Sequence, residues 1–77
     1  MAIYSIGLDA YDPVGNEHVS DHVCVEAESK EEAFELAYKY SDPKVRYDVD
    51  CSVYGVYDVE TYKGEYYDKN GVKIVKQ

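Results

Sequence analysis

Apolar side chains recur at every second position near the start of the chain. In residues 3–10, IYSIGLDA, Tyr4, Ile6, Leu8 and Ala10 fall on one face. That period is the mark of a half-buried strand. Residues 11–18, YDPVGNEH, hold Pro13, Gly15 and Asn16 and read as a loop. Residues 19–27 then alternate again, with Val19, Val23, Val25 and Ala27 facing one way. Ser20, His22, Cys24 and Glu26 face the other. Two strands joined by so short a loop most simply form an antiparallel hairpin.

The period changes after Ala27. Ser29 followed three residues later by Glu32 makes a capping box. Glu31 and Glu32 suit the positive end of a helix. Ala33, Leu36, Ala37 and Tyr40 fall at i, i+3, i+4 and i+7, so one stripe is apolar. The alanines allow close approach to a sheet. In the following SDPK, Pro43 cannot continue a helix and turns Asp42 away from helical geometry.

Residues 45–60, VRYDVDCSVYGVYDVE, alternate throughout. Tyr47, Val49, Cys51, Val53, Tyr57 and Val59 share one face; Asp48, Asp50, Ser52, Tyr54, Asp58 and Glu60 share the other. This is expected to be the longest strand and central, with Gly55 marking a bulge or bend. The last segment, EYYDKNGVKIVK, reads as a hairpin about Asn70-Gly71, a dipeptide that favours a type I′ turn. Strands are expected near 2–10, 19–27, 46–60, 63–69 and 72–76, with a helix near 30–41. The fold class is therefore α+β: an antiparallel sheet of four to five strands, in the order β-β-α-β-β-β, with one helix on one face. Residues 1–77 form a single small domain.

The segment VEAESKEEAFELAYKY resembles the strand-to-helix core of small phage and conjugative-element proteins of the DpnD/PcfM type, where a V-x-A-x-S-x-E-E-A run sits between hairpins. The likeness covers residues 19–40 and the order of elements. The layout is also similar to small anti-CRISPR proteins of phages. The resemblance implies a phage or mobile-element origin and assigns no site residue. The helix itself reads as frame, since a capped amphipathic helix serves to cover a core.

Size bounds what such a core supplies. A chain of 77 residues buries about 60% of its unfolded surface, and its stability is expected at about 3–5 kcal/mol. Net charge is −8, which disfavours nucleic acid or an anionic membrane as a direct ligand and fits a basic partner. The charge is uneven. Asp9, Asp12, Glu17, Asp21, Glu26 and Glu28 precede the first lysine, whereas residues 68–77 carry Lys69, Lys73 and Lys76 against Asp68. No basic region followed by an apolar run opens the chain, and no apolar stretch approaches membrane-spanning length. A cytoplasmic location is expected, with Cys24 and Cys51 free.

Catalytic signatures are missing. Nothing resembles a P-loop, a dinucleotide fingerprint or a nucleophile elbow. Ser20 lies between His18 and His22 on one strand face, with no group to orient them. His18, His22, Cys24 and Cys51 are the candidates for a zinc site, but Cys51 has the parity of the apolar face. His18 and His22 are also about 13 Å apart along an ideal strand. DAYDPVGNE lacks the acid spacing of a calcium loop. Neither an enzyme nor a cofactor is expected.

Tyrosine is the unusual feature: ten tyrosines, one phenylalanine and no tryptophan. A small core absorbs about half of them, which leaves Tyr54, Tyr62 and one of Tyr66 or Tyr67 for solvent or a partner. Tyrosine is enriched at interfaces, although it also favours strands. Around Tyr54 lie Asp48, Asp50, Asp58 and Glu60, with same-face neighbours about 6.6 Å apart, a scale comparable to the spacing of phosphates. Asp48, Asp50, Tyr54, Asp58, Glu60 and Tyr62 are the expected partner-binding residues. The expected function is that of an acidic DNA mimic, inhibiting a CRISPR effector or another nucleic-acid-handling complex by covering a basic surface. The alternative is a homodimer built on the tyrosine-rich sheet face.

Overall fold

The computed structural model describes residues 1–41 and 49–77. Strands β1 (Ala2–Asp12) and β2 (Glu17–Ala27) form the hairpin that the alternation predicts, in register from Ala2 opposite Ala27 to Asp12 opposite Glu17. Asn16 closes the loop with φ at +52°, a conformation that asparagine tolerates better than most residues. The Tyr11 hydroxyl donates to Asn16 Oδ1 and holds the loop against β1.

Helix α1 (Lys30–Tyr40) starts where the capping box puts it. Ser29 is extended, and its Oγ accepts from the backbone N–H of Glu32 at 3.2 Å. Ser41 Oγ donates back to the Tyr38 carbonyl at 2.8 Å at the other end. The stop expected at Pro43 lies outside the described residues. Ala33 and Ala37 are fully buried against Ile6, Leu8, Val23, Val25 and Ala27 of the hairpin. Each large aliphatic side chain buried there contributes about 1.5–3 kcal/mol. Tyr40 extends the layer by packing its ring 5.1 Å from that of Tyr67.

Three further strands complete a mixed, mostly antiparallel sheet. β3 (Asp50–Asp58) pairs antiparallel with β1, β4 (Gly64–Tyr67) lies parallel to β2, and β5 (Lys73–Lys76) pairs antiparallel with β4. The order is β3-β1-β2-β4-β5. This corrects two expectations. The hairpin β1–β2 is central, and β3 is an edge, because the residues buried on both faces sit on β1: Ile6 and Leu8 on one side, Ile3 on the other. One pairing is parallel, because residues 59–63 cross the face away from the helix and set β4 down beyond β2 in the direction of β3. The strand expected over 46–60 and as the longest runs from Asp50 to Asp58, nine residues against eleven in β1 and in β2; residues 46–48 of the expected span lie outside the described residues.

The last turn also differs from type I′. Among the described residues of this turn only Gly71 has positive φ, at +82°. Asp68 organises it: its Oδ1 accepts from the N–H groups of Asn70 and Val72, each at 2.9 Å. Its carbonyl accepts from Gly71 at 3.0 Å. A side chain that satisfies two backbone donors stabilises a type I turn closed by a left-handed glycine.

β3 carries the most consequential irregularity. Ser5 lies opposite Gly55 and Ile6 opposite Val53, so Tyr54 is an extra residue. The bulge reverses the alternation that the sequence shows. Cys51 and Val53 pack on the helix side, as expected. Beyond the bulge, Gly55 and Tyr57 come to the open face beside Ser5 and Ile3, while Val56 and Asp58 turn to the face of Tyr4 and Ala2. Tyr57 is therefore on the opposite face from Val53, contrary to the unbroken period.

Candidate functional site

The open face is built of tyrosines lying on a floor of small residues. Gly7 faces outward in β1, between His22 of β2 and Ser52 of β3. The Tyr54 ring occupies the space above it: a Cβ at Gly7 would lie 2.7 Å from Tyr54 Cε2. His22 stacks on the same ring, with centroids 5.9 Å apart and planes 13° apart. Its Nε2 shares a hydrogen bond with Ser5 Oγ. Tyr57 likewise lies over Gly55, its hydroxyl oxygen 2.6 Å from where a Cβ would stand. Aromatic rings that cover strand glycines recover contacts a missing side chain leaves unmade.

A second cluster continues from Tyr57. The rings of Tyr57 and Tyr62 are 5.5 Å apart, and those of Tyr62 and Tyr66 meet edge to face at 5.8 Å. Both geometries suit the quadrupoles of the rings. Tyr66 is only 4% exposed, and Ile3 beneath this layer is 0% exposed. The Tyr62 hydroxyl donates to the Glu65 carbonyl at 3.2 Å. The hydrogen bond it shares with the Cys24 thiol, then desolvation, push the phenol up to about 12. Burial raises Tyr66 too, helped by Glu26 and Asp68. Between the clusters is a broad open hollow of about 560 Å³, lined by Ser5, His22, Cys24, Tyr57, Tyr62 and Lys63.

The six residues expected to bind a partner are not all brought together. Asp48 lies outside the described residues. Asp50 is on the same face as Tyr54, with Ser52 between them along β3, and lies directly opposite Asp9 of β1. Asp58 is turned to the other face by the bulge. Its Oδ1 accepts from the Glu60 N–H at 2.8 Å, so Glu60 sits in the turn after β3 and not on the strand. Tyr62 is half-buried as the lid of the second cluster. The acids therefore flank β3 at its two ends and on two faces, instead of lining one face. What the strand does present is a run of exposed apolar side chains: Tyr54 at 65%, Val56 at 55% and Tyr57 at 46%.

The residues considered for chemistry separate. His22 bonds to Ser5, not Ser20, and His18 packs its ring against Tyr11 at 5.6 Å. Ser5, which sequence reasoning passed over, is 6% exposed, and its hydroxyl serves a partly buried cross-strand bond to the exposed His22. Its partner was not legible because the contact is diagonal across β1 and β2. Cys24 and Cys51, both free, lie on opposite faces. Burial, then the charge of Asp50, raises the Cys51 thiol above its ordinary range. Among the described residues no three His, Cys, Asp or Glu side chains converge as metal ligands. No helix among them is long and apolar enough to cross a membrane.

No family model, curated protein or solved structure matches this chain.

Proposed function

We propose that the chain is a non-enzymatic acidic binding protein that covers a basic surface of a nucleic-acid-handling complex and inhibits it as a DNA mimic. The layout resemblance makes a CRISPR effector the first partner class to test and a phage or mobile element the source. The observation that carries the proposal is Tyr54, 65% exposed on edge strand β3, with Asp50 and Asp58 at the two ends of that strand. Exposed aromatics anchor interfaces, and flanking charges steer the encounter. A net charge of −8 extends that steering over the whole molecule.

The test is kinetic. The chain is used to recover its partner from bacterial lysate, and duplex DNA is added as competitor. DNA displaces the chain if both occupy one basic surface. Asp50→Lys with Asp58→Lys slows association, and added salt masks the difference. Tyr54→Ala speeds dissociation, with a loss of about 1–3 kcal/mol if it is an anchor. A partner bound equally well by all variants and indifferent to DNA would sink the proposal.

Self-association is the second reading, favoured by the grouping of Tyr54, Val56 and Tyr57 on one edge strand. It expects a monomer from Tyr54→Ala and no effect of the acid reversals on assembly.

A further inference from the structure

The two edges of the sheet are finished differently. β5 is four residues long and carries Lys73 and Lys76. Lys73 is held by Glu65 at 3.2 Å, and Lys76 Nζ donates to the Val59 carbonyl at 2.8 Å. Short length and lysine are common means of blunting an edge. β3 is nine residues long and contains no Lys, Arg or Pro. No strand among the described residues pairs with its outer side.

The tyrosines of β3 leave that outer side clear. Tyr54 leans inward across Gly7 to reach His22 on β2, two strands away from the edge. Tyr57 lies back over Gly55 of its own strand and meets Tyr62. The bulge at Tyr54 bends the strand but leaves regular segments on both sides of it. Each has main-chain donors and acceptors that β1 does not use. An unpaired edge of this kind is a template for another strand.

Charge decides what adds to it. The strand ends in Asp50 and Asp58, both exposed, and Asp50 is doubled by Asp9 opposite it on β1. Like charges set directly opposite are unfavourable, and a cation beside this pair relieves them. A second copy is a poor fit. Antiparallel self-pairing centred on Tyr54 places Asp50 of each copy against Asp58 of the other, between two chains of net charge −8. The short edge of β5 has its lysines already engaged.

We infer that the outer edge of β3, from Asp50 to Asp58, accepts an extended basic segment of a partner protein as a sixth strand. The occupant is an extended segment with apolar residues along its middle and a lysine or arginine at each end. Its apolar side chains lie beside Val53 and Val56 on the helix side and beside Tyr54 and Tyr57 on the other. Because the bulge puts Asp50 and Asp58 on different faces, its two end cations point to opposite sides of the sheet. This deepens the proposal of a basic partner and rests on it: the partner offers a strand, not only a charged surface.

The probe is a synthetic peptide with a lysine at each end and valines between, eight residues long because the bulge sets the nine residues of β3 against eight of a regular neighbour. Two derivatives carry N-methyl groups on one or the other alternating set of backbone amides, and a fourth peptide has glutamate for lysine. Affinity is read by fluorescence anisotropy, and hydrogen exchange is followed at each amide of β3. The lysine peptide is expected to bind and to slow exchange in residues 50–58. Methylation of one set is expected to weaken it about tenfold through lost main-chain hydrogen bonds, while the other set has little effect. Asp50→Lys with Asp58→Lys is expected to reverse the preference toward the glutamate peptide. Binding that ignores both methylations and leaves β3 unprotected overturns strand addition while preserving a basic partner. No binding of any lysine peptide at low salt overturns both. Protection of β3 in a peptide-free dimer overturns the choice of occupant and assigns the edge to a second copy.

Discussion

The ring of Tyr54 lies over the α-carbon of Gly7, in the space a side chain at that position would fill. This pairing explains how a residue 65% exposed is still held in one place. The ring is trapped between the floor of β1 and the His22 imidazole.

Gly7→Ala must therefore move Tyr54. The atoms in the way are the far end of a flexible, exposed side chain, so the ring swings outward and the sheet stays as it is. The lost stacking costs about 0.5–1.5 kcal/mol, and replacing a strand glycine returns about 0.5–1 kcal/mol. Net stability is expected to change by less than about 1 kcal/mol in denaturant unfolding. The His22 ring protons are expected to lose the upfield shift caused by Tyr54. A destabilisation of about 3 kcal/mol, at the upper limit for overpacking, would show the ring to be locked.

Ile3 tests the layer on the open face. It is 0% exposed although it lies on the side of the sheet without a helix. Ile3→Ala is expected to cost about 2–5 kcal/mol, whereas Val75→Ala, at 56% exposure, should cost less than about 0.5 kcal/mol. Equal, small effects in urea unfolding would mean that the tyrosines over Ile3 do not exclude water.

Ser29→Ala removes the acceptor for the Glu32 N–H. The expected loss is about 0.5–2 kcal/mol, measured by chemical denaturation. Affinity for a partner at a temperature well below melting should survive, since the helix packs on the face away from Tyr54.

Alkaline pH should weaken the fold. Tyr62 ionises at about 12 in the folded chain against about 10 unfolded, so the folded state holds its proton over that interval. Stability from this group is complete below pH 10 and falls as pH rises through 12; Tyr66 shifts in the same direction. Cys24→Ala removes the largest cause of the Tyr62 shift. Tyrosinate absorbance should then show one phenol titrating earlier, and an unchanged titration curve would refute the Cys24–Tyr62 bond.

The hairpin β1–β2 and the capped helix were legible because each is encoded locally, in a period and in Ser29 with Glu32. The placement of β3 was not. A period of two links Val49, Cys51, Val53, Tyr57 and Val59, and only Gly55 and the three-residue step from Val53 to Val56 hinted that the strand changes face. The bulge arises because Tyr54 has Gly7 beside it on another strand, a match that one segment read alone does not disclose. Tyr57, Tyr62 and Tyr66 were ambiguous for a related reason: tyrosine suits a wet surface, a strand and a buried layer alike. Asp50 and Tyr54 remain on one face, but Asp58 and Glu60 leave it once the bulge and the turn at Asp58 are formed. The parallel seating of β4 was equally hidden, since it follows from the path of residues 59–63 and not from the composition of β4.

That path imposes an order of assembly. The crossing residues span β1 and β2 only after β3 has docked beside β1, which requires residue 2 to meet residue 58. The β1–β2 hairpin and α1 close through near neighbours and can form first. The β4–β5 unit can seat only after the crossing is in place. Its parallel contact with β2 is the short pairing of Val25 with Tyr67. It is therefore the part expected to open first when the native molecule fluctuates, exposing Ile3 and Cys24 together on one face and parting Tyr67 from Tyr40 on the other.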